Sequence, residues 1–198
     1  MTNHVLPRSC RGVRRGEPCY NAFTLIELIL VVGIIIVLAG LVLSTVGYAR
    51  KKGARARAET EIAAMSAACE NYKADNGVYP SNTDTNNLDP KTGGNPNSPS
   101  YSLASFYLYT LLSGDPAGSR SPTGKIYMQF KPNMLLPAGG SGTVTAIADP
   151  FGYSYGYSTS NQVDPTHGYN PTFDLWTTCT LTNSPPSAAD QNQWIKNW

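Results

Sequence analysis

The strongest pattern in the chain is an unbroken apolar run. Residues 23–48 read FTLIELILVVGIIIVLAGLVLSTVGY, and the stretch 28–43 has no polar side chain, only Gly33 and Gly40 as interruptions. A helix that is apolar on every face belongs in lipid or in the middle of a large core. A chain of 198 residues has little with which to surround one. With its flanks the run reaches the roughly 20 residues that cross a hydrocarbon core. A secretory signal would end in a small-residue cleavage site soon after such a run. Here a basic collar follows instead: Arg50, Lys51, Lys52, Arg55 and Arg57, which suits anionic lipid headgroups. The pattern predicts a membrane-spanning helix.

Beyond Gly53 the apolar positions narrow to one face. Ala58, Ile62, Met65, Cys69 and Tyr72 are spaced by four, three, four and three, flanked by Glu59, Glu61 and Glu70. This is a stripe for packing on a soluble domain. Asn76-Gly77 and then Pro80 end the helix near Asp75, giving on the order of 80 Å of helix from Phe23 at 1.5 Å per residue. Residues 81–100, rich in Asn, Thr, Pro, Gly and Ser, read as a surface loop. A short second helix is expected over 102–112, ended by Gly114 and Pro116. The runs KIYMQF (125–130), TVTAI (143–147), YSYGYS (153–158) and TFDLWT (172–177) are β-prone, and Asp149-Pro150-Phe151-Gly152 is a turn between two of them. Tyr153, Tyr155 and Tyr157 then alternate onto one strand face and read as core and sheet packing. The fold class is α+β: a long N-terminal helix packed on a small antiparallel sheet. Its segments are 1–22, 23–48, 49–76 and a globular part over 77–198.

Charge sharpens the first segment. Residues 1–22 carry Arg8, Arg11, Arg14 and Arg15 against Glu17, while 11 basic and 12 acidic side chains remain from Phe23 onward. The body therefore has no broad cationic field, which argues against nucleic acid as a partner. Four basic residues before the span and five after it do not fix its orientation by counting. Cys10 and Cys19 lie in the leader. Cys69 and Cys179 in the body either form a disulfide or serve as small apolar residues. His4 and His167 have no partners at metal-ligand spacing. No Ser/His/Asp set, paired carboxylates or phosphate-cradling glycine loop is recognisable, so the chain does not read as an enzyme.

Candidate chemistry concentrates at NAFTLIEL. Small Ala22 precedes Phe23, and Glu27 stands at the head of the apolar run. An acid inside a membrane segment calls for a partner. Cleavage after Ala22 creates one, the new α-amine of Phe23, which a neighbouring copy can receive at its own Glu27. The alternative is a Glu that reaches the water at the membrane face.

The leader, this junction and the long apolar helix resemble the prepilin amino terminus of type IV pilins and type II secretion pseudopilins, over about the first 50 residues. The resemblance implies an inner-membrane prepilin peptidase that cuts before Phe23 and methylates its amine, with Glu27 guiding assembly into a filament. It places the leader in the cytoplasm and the body in the periplasm. Ala22 stands where the family usually has Gly. ENYKADNGVYP (70–80), ADPFGYSYGYS (148–158), FDLWT (173–177) and the final Asn197-Trp198 look like landmarks of the major pseudopilin.

The implied function is therefore a pilin-like homopolymer for protein export. Its implied partners are minor pseudopilins and the inner-membrane assembly platform. The family commonly holds Ca2+ in a loop after the strand matched by FDLW. Here that stretch offers Asp190, with Asp174 further off, and a hard cation wants about six oxygens. The other reading of this region is a Cys69–Cys179 bridge, which needs Cα atoms within roughly 4.4–6.8 Å. A surface type IV pilin for adhesion or motility, and a single-span membrane protein that displays a binding domain without polymerising, remain as alternatives.

Overall fold

The structure is a computed structural model describing residues 24–198, without the side chains of 42–45. The chain divides into two compact units, the first ending at Gly47 and the second running over Tyr48–Trp198. Helix α1 covers Leu25–Asn76. It ends where Gly77 takes a left-handed φ of 78° and its N–H donates to the Lys73 carbonyl at 2.7 Å, as a glycine past a helix C-terminus does.

The stripe of the second half of α1 behaves as its spacing predicts. Ala58, Met65 and Cys69 are fully buried, Ile62 nearly so, and Tyr72 packs partly buried against the same cluster. That cluster also contains Leu108, Leu112, Ile147, Tyr155, Tyr157, Phe173 and Leu175. The chain is α+β, as expected, but among the described residues the strands form two antiparallel sheets instead of one. Strand β1 (Leu135–Leu136) pairs with β2 (Ala146–Ile147), while β3 (Gly156–Ser158), β4 (Asp174–Thr177) and β5 (Ile195–Lys196) form a second sheet in that order. Gly156 faces Trp176 across β3 and β4, and a Cβ there would run into the indole.

Three segments differ from expectation. Within the expected loop 81–100, Asn82 and Thr85 form a reciprocal capping box that starts helix α2 (Thr83–Asn87), so local capping outweighs a composition that reads as loop. Helix α3 (Pro99–Ser113) begins three residues earlier than predicted, with proline in its first turn, where the missing N–H costs nothing. It ends at Gly114 with φ 70° and packs against β2 and β3. The run 125–130 is not a strand. The N–H groups of Tyr127 and Met128 both donate to the Leu112 carbonyl, at 2.8 and 2.9 Å, so this backbone satisfies the end of α3 rather than a sheet ladder. Short helices α4 (Ser160–Val163) and α5 (Ala188–Gln191) complete the fold.

The turn at 149–152 forms as read. One Asp149 oxygen accepts the N–H groups of Phe151 and Tyr153 at 2.9 and 2.8 Å, and the other receives the Thr177 hydroxyl. Burial raises the Asp149 pKa, against the opposing effect of these donors. A raised folded-state pKa contributes stability below the unfolded value, near 3.9, that is lost as pH rises through the folded value. Asp149→Asn should therefore gain on the wild type as pH rises above about 4, because it removes that loss. Asp149→Ala, which strands two N–H groups and a hydroxyl, should cost about 2–3 kcal/mol below about pH 4, and less as the wild type loses its own stability at higher pH. Thermal melts of the three proteins across this pH range check both. A wild type and Asn variant that change in parallel would refute the assignment.

Candidate functional site

The first part of α1 offers apolar side chains to the outside on all faces. Leu25, Ile26, Leu28, Ile29, Leu30, Ile34, Ile35, Ile36, Val37, Leu38 and Leu41 are each more than half exposed. The 18-residue window of highest hydropathy is wholly unburied, and the helix is long and apolar enough to cross a membrane. A helix suits that environment because it satisfies its own backbone polar groups. Between Thr24 and Leu41, Glu27 is the single ionisable side chain. It occupies the first turn of α1, with its N–H donating to Thr24 Oγ1 at 3.3 Å, where the helix dipole favours an anion. No ion pair reaches it among the described residues. Ala22 and Phe23, the predicted cleavage and methylation positions, lie outside the described residues.

Part of the basic collar turns out to bind protein. Arg55 Nη1 donates to the Gln193 carbonyl at 2.8 Å and to Cys179 Sγ at 3.3 Å. Arg57 Nε pairs with Glu61 Oε1 at 2.6 Å, and the Tyr155 hydroxyl donates to Glu61 Oε2 at 2.8 Å. Glu61, 8 % exposed, is thus a buried acid held by a cation one turn back and a phenol from β-rich sequence 94 positions later. The Arg57 pairing follows from i,i+4 spacing; nothing local in the sequence announces Tyr155. Arg50, Lys51 and Lys52 are exposed and remain suited to headgroups.

The Cys69–Cys179 bridge does not form; both thiols are free and buried. Cys69 lies beside the Tyr157 hydroxyl, whereas Cys179 is fixed against Arg55. Arg55 is about four turns before Cys69, or roughly 21 Å of helix, which is beyond what an arginine and a cysteine side chain can close to disulfide distance. Burial pushes the Cys69 thiol up to about 12, with the Tyr157 contact opposing and Glu70 adding to it.

Asp174 and Asp190 each hold local structure. The two oxygens of buried Asp174 accept the N–H groups of Tyr169 and Asn170 at 2.7 and 2.8 Å. Burial raises its pKa, those donors oppose the rise, and neighbouring Asp89 adds to it. Half-buried Asp190 accepts from Asn183 Nδ2 and from the N–H and hydroxyl of Ser187, which hold its carboxyl below the usual range. Its role is the capping box of α5. Lone pairs already directed at N–H donors do not fit a Ca2+ shell of oxygens, and no group of three His, Cys, Asp or Glu side chains suited to a metal occurs among the described residues. No family model, curated protein or solved structure matches the chain.

In the folded protein at pH 8 Cys69 should carry roughly three orders of magnitude less thiolate than a free cysteine. Iodoacetamide should label it only after unfolding, and non-reducing peptide mapping should recover no Cys69–Cys179 linkage. A recovered linkage, or labelling of Cys69 at the rate of a free thiol, would refute this arrangement.

Proposed function

We propose that this chain is a pseudopilin, a structural filament subunit of a type II secretion system. In this reading prepilin peptidase cuts before Phe23, the first half of α1 holds the subunit in the bacterial inner membrane with its body in the periplasm, and subunits polymerise from the assembly platform to drive protein export. The observation that carries the reading is the exposure of apolar side chains all round the start of α1, with Glu27 as their sole carboxylate. Such a surface needs lipid before assembly and other subunits after it.

Inside either environment an ionised Glu27 needs a cation. The α-amine created at Phe23 supplies one when a neighbouring subunit presents it, so the charge pair is complete only in the polymer. That coupling makes correct register a condition for burying the charge. The packing of the Ala58–Cys69 stripe on small antiparallel sheets supports a pilin-like body. The sequence landmarks at 148–158 and 173–177 support the secretion branch. So does the carboxy-terminal region, which with Cys179 as its one cysteine has no internal pair to close a disulfide. The subunit acts by assembly and not by catalysis.

Mass spectrometry of the chain isolated from membranes should find a mature N-terminus at N-methylated Phe23; a chain still beginning at Met1 would sink the proposal. Glu27→Ala should remain in the membrane fraction while crosslinked multimers fall by about tenfold or more. A single-span protein that merely displays its body would show no such fall, so undiminished multimers would favour that alternative.

A further inference from the structure

Two charged side chains on the second part of α1 have no counter-charge in their own chain. Lys52 and Glu59 are both exposed, and neither takes part in an ion pair among the described residues. Side chains three and four positions apart are the ones that meet on a helix. At those positions Lys52 has Tyr48, Ala49, Arg55 and Ala56, none of them an acid. Glu59 has Arg55 one turn back, but that guanidinium is turned to the Gln193 carbonyl at 2.8 Å and to Cys179 Sγ at 3.3 Å. The other neighbours of Glu59 at this spacing, Ala56, Ile62 and Ala63, are apolar.

Lys52 and Glu59 nevertheless share a face of α1. Seven residues at 3.6 per turn bring them within about 20° of one another around the helix and set them about 10 Å apart along it. That is too long for a direct pair on one helix. Ala56 is exposed between them, and Ala63 is exposed one turn beyond Glu59. Such small side chains let a second helix approach closely. The stripe from Ala58 to Cys69 is the side of α1 buried against the body, so the face with Lys52 and Glu59 stays open.

A second copy of the chain fits this face by charge. When its α1 lies parallel and is moved seven residues along, its Lys52 comes level with Glu59 of the first copy, and its own Glu59 is left for a third. The contact is head-to-tail, and a contact of that kind can repeat without closing. An antiparallel copy would also bring opposite charges together, but two copies with the start of α1 in one bilayer run the same way. The choice of the parallel arrangement rests on the filament reading above.

We propose that Lys52 of each subunit pairs with Glu59 of a parallel neighbour staggered by about seven residues, which makes this face of α1 a contact between subunits. Each charge left unpaired in the single chain then gains its partner on assembly. Arg50 and Lys51 lie at other angles around the helix and stay available to headgroups.

The test compares crosslinked multimers of the full chain in membranes for the wild type, Lys52→Glu, Glu59→Lys and the variant carrying both changes. Each single reversal sets like charges face to face and should lower multimers about fivefold or more, while the double variant should recover to within about twofold of the wild type. A second measurement leaves both charges in place. Copies bearing Ala56→Cys or Ala63→Cys, with tags of different size, are expressed together and oxidised. The stagger sets position 56 of one copy beside position 63 of the next, so the mixed crosslink should exceed both symmetric ones. Undiminished multimers in the single variants would overturn the proposal. So would a fall in only one of them, as for a collar that meets lipid headgroups, a folded double variant that stays low, or symmetric crosslinks in excess. Absence of multimers in the wild type would instead sink the filament reading, and this contact with it.

Discussion

The body of this protein depends on one burial: small and apolar positions of α1, Ala58, Ile62, Met65 and Cys69, against large side chains that arrive from far along the chain. Sheets of two and three short strands have too little surface to form an independent core. They are stable here because Tyr157 and Leu175 from one sheet, Tyr155 just before it and Ile147 from the other sheet meet the α1 stripe in a common cluster with Leu108 and Leu112 of α3. Small residues on the helix let large ones on the strands fill the space, as a close-packed interior requires.

Polar contacts fix the register of that packing. Tyr155 reaches Glu61, the Tyr79 hydroxyl reaches Glu70 at 3.0 Å, and Tyr157 donates to the Pro80 carbonyl at 2.8 Å. Each is a phenol whose ring lies in the core and whose hydroxyl meets an acceptor at its edge, the arrangement that lets tyrosine be buried without an orphaned donor. Burial raises the Tyr155 hydroxyl pKa, and the nearby Glu61 charge raises it further, so it stays a donor throughout the neutral range. The same economy appears in the loops. Asp115 and Asp149 each gather several N–H and O–H donors around one buried carboxylate. Irregular backbone thereby stays satisfied without regular sheet.

The two parts of α1 obey different rules on one continuous helix. The second shows one apolar face to protein. The first is apolar all round and carries a single carboxylate, which makes sense of the proposed life in lipid and then in a polymer.

What was legible in the sequence was whatever depends on local periodicity and on backbone chemistry: the long apolar helix, the stripe, the glycine stops at Gly77 and Gly114, and the Asp149 turn. Each of these is set by residues within a turn or two of each other. Only the tertiary structure decided that KIYMQF would satisfy Leu112 rather than a neighbouring strand, that β1 and β5 would exist, and that Cys69 and Cys179 would stand apart. It also assigned Asp174 and Asp190 to N–H donors in the segments just before them. These outcomes turn on which distant groups compete for the same hydrogen bonds and the same core volume. That competition has no local signature, because a β-prone hexapeptide or a pair of cysteines carries no record of the partner it will meet.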